Sequence, residues 1–326
     1  MGAEPPDMKR TLLWNQKMLW GSALLLLFIL VALGADFVAP YPPSNQYRTS
    51  FNSAPFSDSA RADGAPPSIR LFVAADSYRW LGFLPSRRHL FGSQEGKPIF
   101  LLGSDEFGRD IFSRLVFGAR ISLLVGFLGV AISFFVGMLL GGISGFVGGW
   151  IDQMTMRGSE LFMALPGLYL LLTLRSVFPK QLSPTASFFL IISILSLVNW
   201  GSIARVIRGM VLSLRENDFV EAARAVGASR ARVLTRHILP NTAPFLLTQA
   251  LLSIPYYILG EIALSFLGLG IQEPNPSWGN MLASALDITA LTERPWILAP
   301  GAAIFLVVLA FNLFGEGLND AFKPRR

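Results

Sequence analysis

The chain has 326 residues, 52% of them hydrophobic and only 15% charged, and a mean hydropathy of +0.50, more apolar surface than a soluble domain of this length buries in one core. The absence of cysteine excludes disulfides, zinc–thiolate sites, iron–sulfur clusters and thiol catalysis, and the two distant histidines, His89 and His237, do not make a multi-histidine metal site. The net charge of +6 does not point to nucleic acid, because the basic residues alternate with apolar runs and no stacking motif accompanies them.

Residues 1–18 form a short basic flank with Lys9, Arg10 and Lys17, which places the N-terminus in the cytoplasm. The first apolar run, 19–38 within a span at 19–41, is longer than the 7–15-residue core of a secretory signal, so the small residues Ala32, Gly34 and Ala35 after it are not read as a cleavage site. Residues 42–118 are expected outside the membrane. Their first part is rich in Pro, Ser, Gly and Asp and the stretch 69–91 is more apolar; the whole is loop-like, with no independent fold predicted. Its arginines do not upset the topology, since long loops largely escape the charge rule.

Residues 119–316 carry five further apolar runs, 121–142, 161–174, 186–203, 244–267 and 296–313, most of them near the roughly 20 residues that cross a bilayer. The third span is the weakest, with Arg175 at its end. Trp14, Trp20, Trp150, Trp200, Trp278 and Trp296 flank the runs as an interfacial belt would. Six spans return the tail, 317–326 with Lys323, Arg325 and Arg326, to the side of the N-terminus. The arginine-rich stretch between spans four and five belongs there too. In the second span Gly129, Ser133, Gly137, Gly141 and Gly145 recur at every fourth position, a ladder that lets another helix approach closely. Pro166 and Pro255 are expected to bend their spans. Glu261 is the one carboxylate of the fifth span, where it needs either a polar cavity with a partner or a place near the outer interface.

Between spans four and five, 216–241 reads as a helix, a turn and a second helix. Asp218 followed by Glu221 is a capping-box spacing. Phe219, Ala222, Ala223 and Val226 then fall on one face, Gly227 ends the helix in the left-handed conformation, and Ser229 caps a second helix leading to Pro240. Such an element fits either the groove of another protein or the lipid surface.

Glu221-Ala222-Ala223, Gly227 and Leu239-Pro240 resemble the cytoplasmic coupling loop of permease subunits of bacterial binding-protein-dependent ABC importers. His237, three positions before Pro240, stands where the wider family has isoleucine, and Arg236-His-Ile-Leu-Pro-Asn241 is similar to the dipeptide and oligopeptide branch, which includes nickel importers. The resemblance extends to Leu102-Gly-Ser-Asp-Glu-Phe-Gly-Arg-Asp110, Gly148-Gly-Trp-Ile-Asp152, Leu264-Ser-Phe-Leu-Gly-Leu-Gly270 and Pro276-Ser-Trp-Gly279, whereas 42–101 matches nothing in it. It implies an all-α membrane protein with six transmembrane helices, the type I importer permease fold, and a long extracytoplasmic loop after the first helix. The implied location is the bacterial inner membrane. The implied partners are a second permease subunit, one or two cytoplasmic ATPase subunits, an extracytoplasmic binding protein and membrane lipid. Peptides lead as cargo, with nickel complexes or another small solute as the alternative. The resemblance implies no cofactor and no enzymatic activity in this chain, ATP and Mg belonging to the ATPase subunits. In keeping with this, no Gly-x-x-x-x-Gly-Lys-Ser/Thr occurs. A membrane hydrolase lacks its motifs here, and a secondary transporter would show intramembrane charge relays.

Overall fold

A computed structural model describes residues 16–56, 69–80, 83–93, 98–179 and 182–322. Lys9, Arg10, Trp14, Lys323, Arg325 and Arg326, used above for topology, lie outside the described residues. Helix α1 (Gln16–Leu33) is followed by a single turn, α2 (Ala35–Val38), and then by an antiparallel hairpin of β1 (Ile69–Trp80) and β2 (Leu84–Ser93). The long α3 (Ile111–Val147) leads through Gly148 and Gly149, both with positive φ, into α4 (Gly149–Ala164), α5 (Gly167–Ser176) and α6 (Pro184–Leu214). A short α7 (Asp218–Ala225) precedes α8 (Arg230–Phe266), and α9 (Trp278–Leu282), α10 (Ile288–Glu293) and α11 (Ala299–Phe322) complete the chain.

Among the described residues five helical segments are long and apolar enough to cross a membrane: α1, α3, α6, α8 and Pro295–Asp320, which holds most of α11. The third expected span, 161–174, is corrected: it is two helices broken at Leu165 and Pro166. Leu165 is extended (φ −95°, ψ 140°), as a residue before proline prefers, and Pro166 has no N–H to continue the ladder. The loop-like reading of 42–118 is corrected as well. Residues 69–93 hold a twelve-residue strand paired antiparallel from Ile69↔Ser93 to Trp80↔Leu84, with a bulge that shifts the register between Ala74 and Tyr78, and 111–118 already belong to α3. Helix α3 starts this early because Asp110 caps it, its carboxylate accepting from the Ser113 amide at 2.8 Å.

The core lies where α3, α6, α8 and α11 meet, around Ile191, Leu195, Ile258, Val307 and Phe311. A Cβ on Gly137 would run into Ile203, and one on Gly141 or Gly145 into the backbone of Ala204 or Arg208, so this face of α3 lies directly on α6. Gly129 faces the Tyr257 ring of α8, and the Ser133 hydroxyl donates to the Gly129 carbonyl at 2.9 Å. Trp278 is corrected as an interfacial residue: it is fully buried, its indole N–H donating to the Leu115 carbonyl at 3.0 Å. Glu261 is fully buried and accepts hydrogen bonds from Ser122 (3.0 Å) and Ser265 (2.6 Å), so the two serines supply the polar surroundings that a carboxylate at this depth needs.

Candidate functional site

At one end of the bundle the chain leaves α6 and makes a helix, a turn and a second helix. The expected capping box is corrected: Asn217, not Asp218, is the N-cap, and no side chain closes the cap. Asp218 and Glu221 lie in the first turn and Arg224 in the last, which matches the helix dipole at both ends. Gly227 has φ +82°; its amide donates to the Arg224 carbonyl (2.9 Å) and the Ala228 amide to the Ala223 carbonyl (3.0 Å). These two bonds form a Schellman turn, which satisfies the last carbonyls and needs a residue without a Cβ penalty. Ser229 then accepts from the Arg232 amide at 3.4 Å and starts α8.

The helix α7 turns two faces in two directions. Val220 and Ala223 are buried with Ile207, Val211, Val233 and Ile238. Of the four residues expected on one apolar face, only Ala223 is inside; Phe219, Ala222 and Val226 are exposed, Val226 at 85%. The side chains Asp218 and Glu221 are exposed as well. The result is a surface of Phe219, Ala222 and Val226, edged by carboxylates, held out from the bundle by a small buried anchor.

Past Ser229 the second helix does not stop at Pro240. It runs on without a break to Phe266, and 233–238 wind as a π-turn in which the Leu239 amide reaches back to the Leu234 carbonyl. In an unbroken α-helix the Pro240 ring would meet the carbonyl four residues before it; the wider turn relieves that clash. His237 is half-buried within the π-turn and its carbonyl accepts from the Asn241 side chain at 2.6 Å; Leu239 packs against the buried group of α7.

Two contacts that spacing alone did not reveal brace this end. Asp152 of α4 receives a two-pronged pair from Arg208 of α6 (2.5 and 2.6 Å) and a bond from the Ser144 hydroxyl, and Arg215 donates to the Gly145 carbonyl at 3.2 Å. Asp152 closes the Gly148-Gly-Trp-Ile-Asp152 stretch singled out above, which was the available signal.

The opposite end is tied by charge. Arg109 reaches Asp105 (2.7 Å) and Glu273 (2.6 Å), and the buried Arg114 reaches Glu273 at 2.8 Å. Arg175, also buried, donates to the Leu269 carbonyl at 2.6 Å. Beside the ion pairs lies a cavity of about 530 Å³ lined by Asn52, Asp105, Arg109, Glu273, Asp287 and Arg294 among others. Burial pushes the Asp110 carboxyl up to about 6, against the lowering effect of its bonds from Ser113. Among the described residues no three His, Cys, Asp or Glu side chains gather as metal ligands.

Residues 137–326 match the binding-protein-dependent transport system inner membrane component family. The chain belongs to that family. Residues 7–55 match the N-terminal transmembrane domain of oligopeptide transport permease C, which extends the likeness across the first span and corrects the reading that 42–101 matches nothing, since 42–55 fall within it. Among similar proteins, a di/tripeptide transport system permease of Pseudomonas aeruginosa is 38% identical over 313 residues, 95% of this chain and 89% of its own. A dipeptide transport system permease of Alkalihalophilus pseudofirmus is 40% identical over 242 residues, 74% of this chain and 73% of its own. A glutathione transport system permease of Escherichia coli is 35% identical over 312 residues, covering 95% and 88%. Family membership and the five apolar helices make this member a multi-pass protein of the inner membrane.

Proposed function

We propose that this family member is one of two transmembrane subunits of an ATP-driven importer and forms half of the path for di- or oligopeptides delivered by an extracytoplasmic binding protein. The likeness to a di/tripeptide permease over 95% of the chain carries this reading. The glutathione permease among the relatives fits the same class, since glutathione is itself a tripeptide. In this reading α4 and α5 together are the third of six crossings. They run from the Asp152–Arg208 pair at one end to Arg175, bonded to Leu269, at the other. Both termini are then cytoplasmic.

Residues Asp218, Glu221, Ala222, Ala223, Gly227, His237, Leu239 and Pro240 constitute the coupling segment in this reading. The surface of Phe219, Ala222 and Val226 enters a groove of an ATPase subunit, whose ATP and Mg supply the energy. ATP binding favours one of two packed states of the assembly, and the docked helix carries that preference into the bundle. The ladder Gly129, Ser133, Gly137, Gly141 and Gly145 keeps α3 and α6 together as one body while this happens.

The experiment is uptake of a labelled dipeptide by cells carrying or lacking this chain. Loss of accumulation on deletion, restoration by the chain, and competition by unlabelled di- and tripeptides but not by nickel are the expected results. Unchanged dipeptide uptake together with loss of another solute would refute the peptide reading.

A further inference from the structure

The β-hairpin folds back along the outside of the chain. At its base Phe91 packs edge-on to Phe112 (5.4 Å), and the buried His89 is bonded through Nδ1 to the Ala39 carbonyl at 2.7 Å. Phe72 lies 6.2 Å from Phe37 of α2. From there the strands return toward α1, and Trp80, at the end of β1, donates its indole N–H to the Leu33 carbonyl at 2.9 Å. Leu33 is the last residue of the apolar helix α1. Arg120 of α3 converges on the same place, donating to the carbonyls of Ala32 (2.9 Å) and Leu33 (3.3 Å) and pairing with Asp36 at 2.7 Å.

The final carbonyls of a helix have no partner within it, and where such a helix ends in a bilayer, Trp and Arg side chains meet them at the level of the headgroups. Leu33 therefore marks that level. The hairpin tip sits beside it with its apolar side chains outward: Phe83 is 67% exposed, and Trp80 and Leu84 are exposed too. They continue the exposed row of Leu26, Leu30 and Leu33 on α1, which faces lipid in a membrane-spanning helix. Arg79, Arg87 and Arg88, exposed on the two strands, stand ready for phosphate.

We propose that the hairpin is a membrane-interface anchor, its tip of Trp80, Phe83 and Leu84 inserted among phospholipids in the leaflet that α1 reaches at Leu33, with the arginines at headgroup phosphates. Aromatic and aliphatic side chains at that level are stabilised by the interface itself.

The chain has no cysteine, so Phe83→Cys or Leu84→Cys carries a single environment-sensitive bimane label, with the exposed Ala75→Cys as the control. The full chain, purified with whatever subunits accompany it, is placed in phosphatidylcholine–phosphatidylglycerol vesicles with or without nitroxide on the upper acyl chain. The anchor requires labels at 83 and 84 to emit at shorter wavelength, to lose intensity to the lipid nitroxide and to resist aqueous iodide, with the opposite result at 75. Quenching at 83 and 84 by iodide but not by lipid nitroxide would overturn the proposal in favour of a solvated docking surface. Protection from both quenchers would overturn it in favour of burial against a partner subunit.

Discussion

At one end of the bundle Arg109 and Arg114 converge on Asp105 and Glu273, Arg175 holds the Leu269 carbonyl, and Ser277 and Asn280 cap α9 reciprocally. At the other, α7 is attached through Val220 and Ala223, a Schellman turn, and the brace of Asp152 with Arg208 behind it. The first arrangement uses long-range bonds between distant segments, so it resists separation of 105–114 from 265–280. The second uses a local turn and a small apolar anchor, so α7 keeps its shape while its outer face stays free to bind. A transport subunit needs both: a fixed end against which the other can be moved.

Substitutions can break this contrast, beginning with the most damaging. Arg114→Leu removes one of the two buried arginines that hold Asp105 and Glu273 and leaves both carboxylates to Arg109 alone. The expected loss is that of charge-assisted hydrogen bonds rather than of an orphaned buried charge, about 2 kcal/mol. It should appear as a clear drop in melting temperature in detergent, whereas Glu273→Gln should stay within about 1 kcal/mol of the parent. Equal, small effects of the two would reduce the ion cluster to an ordinary surface pair.

Gly227→Val should act on movement rather than on the fold. No atom lies within 4 Å of a Cβ there, so only the left-handed backbone at φ +82° resists, at roughly 1–2 kcal/mol. The expected outcome is a protein that inserts and melts only a few degrees below the parent but no longer supports uptake, with Gly227→Asn partly active because asparagine tolerates that conformation. Full uptake by Gly227→Val would remove the turn from the coupling path.

The smallest structural effect is expected from Val226→Ser, where the side chain is 85% exposed and stability should change by no more than about 0.5 kcal/mol. Uptake should nonetheless fall severalfold. The buried Val220→Ser should do the reverse, lowering the melting temperature before it lowers transport. If both variants lose stability and neither loses transport selectively, the two faces of α7 do not divide the work.

Much of this architecture is written in short-range pattern. Uninterrupted apolar runs marked α1, α3, α6, α8 and α11, and Gly227 marked the turn, because each signal is contained in a few neighbouring residues. What spacing could not supply was partnership across the chain. The apolar residues of α7 suggested one face by helical period, yet the choice of which face turns inward depends on Ile207, Val211 and Val233, which lie in other elements. The hairpin was invisible because Ile69–Trp80 lacks clean alternation and Gly82, between the two runs, is a lone glycine without the Asn-Gly or Asp-Gly pairing that marks a tight hairpin; Ala39, Leu33 and Phe112 hold it from outside. Pro166 announced a bend, but the full break came from Leu165 leaving the helical region before it. Arg114 and Glu273 are 159 residues apart, and no local pattern pairs them.

The unbroken run from Arg230 to Phe266 has a mechanical consequence. At 1.5 Å per residue it is a rod of roughly 55 Å that carries Pro244 and Pro255 within it, and the π-turn at 233–238 puts a compliant joint close to the end that carries α7. The arm beyond that joint is several times longer than the arm before it. A small tilt imposed near Ser229 is therefore magnified at Phe266, while the force available there is reduced in the same ratio. In the proposed coupling the rod would gear a short, strong stroke at one surface of the membrane into a long, gentle one at the other.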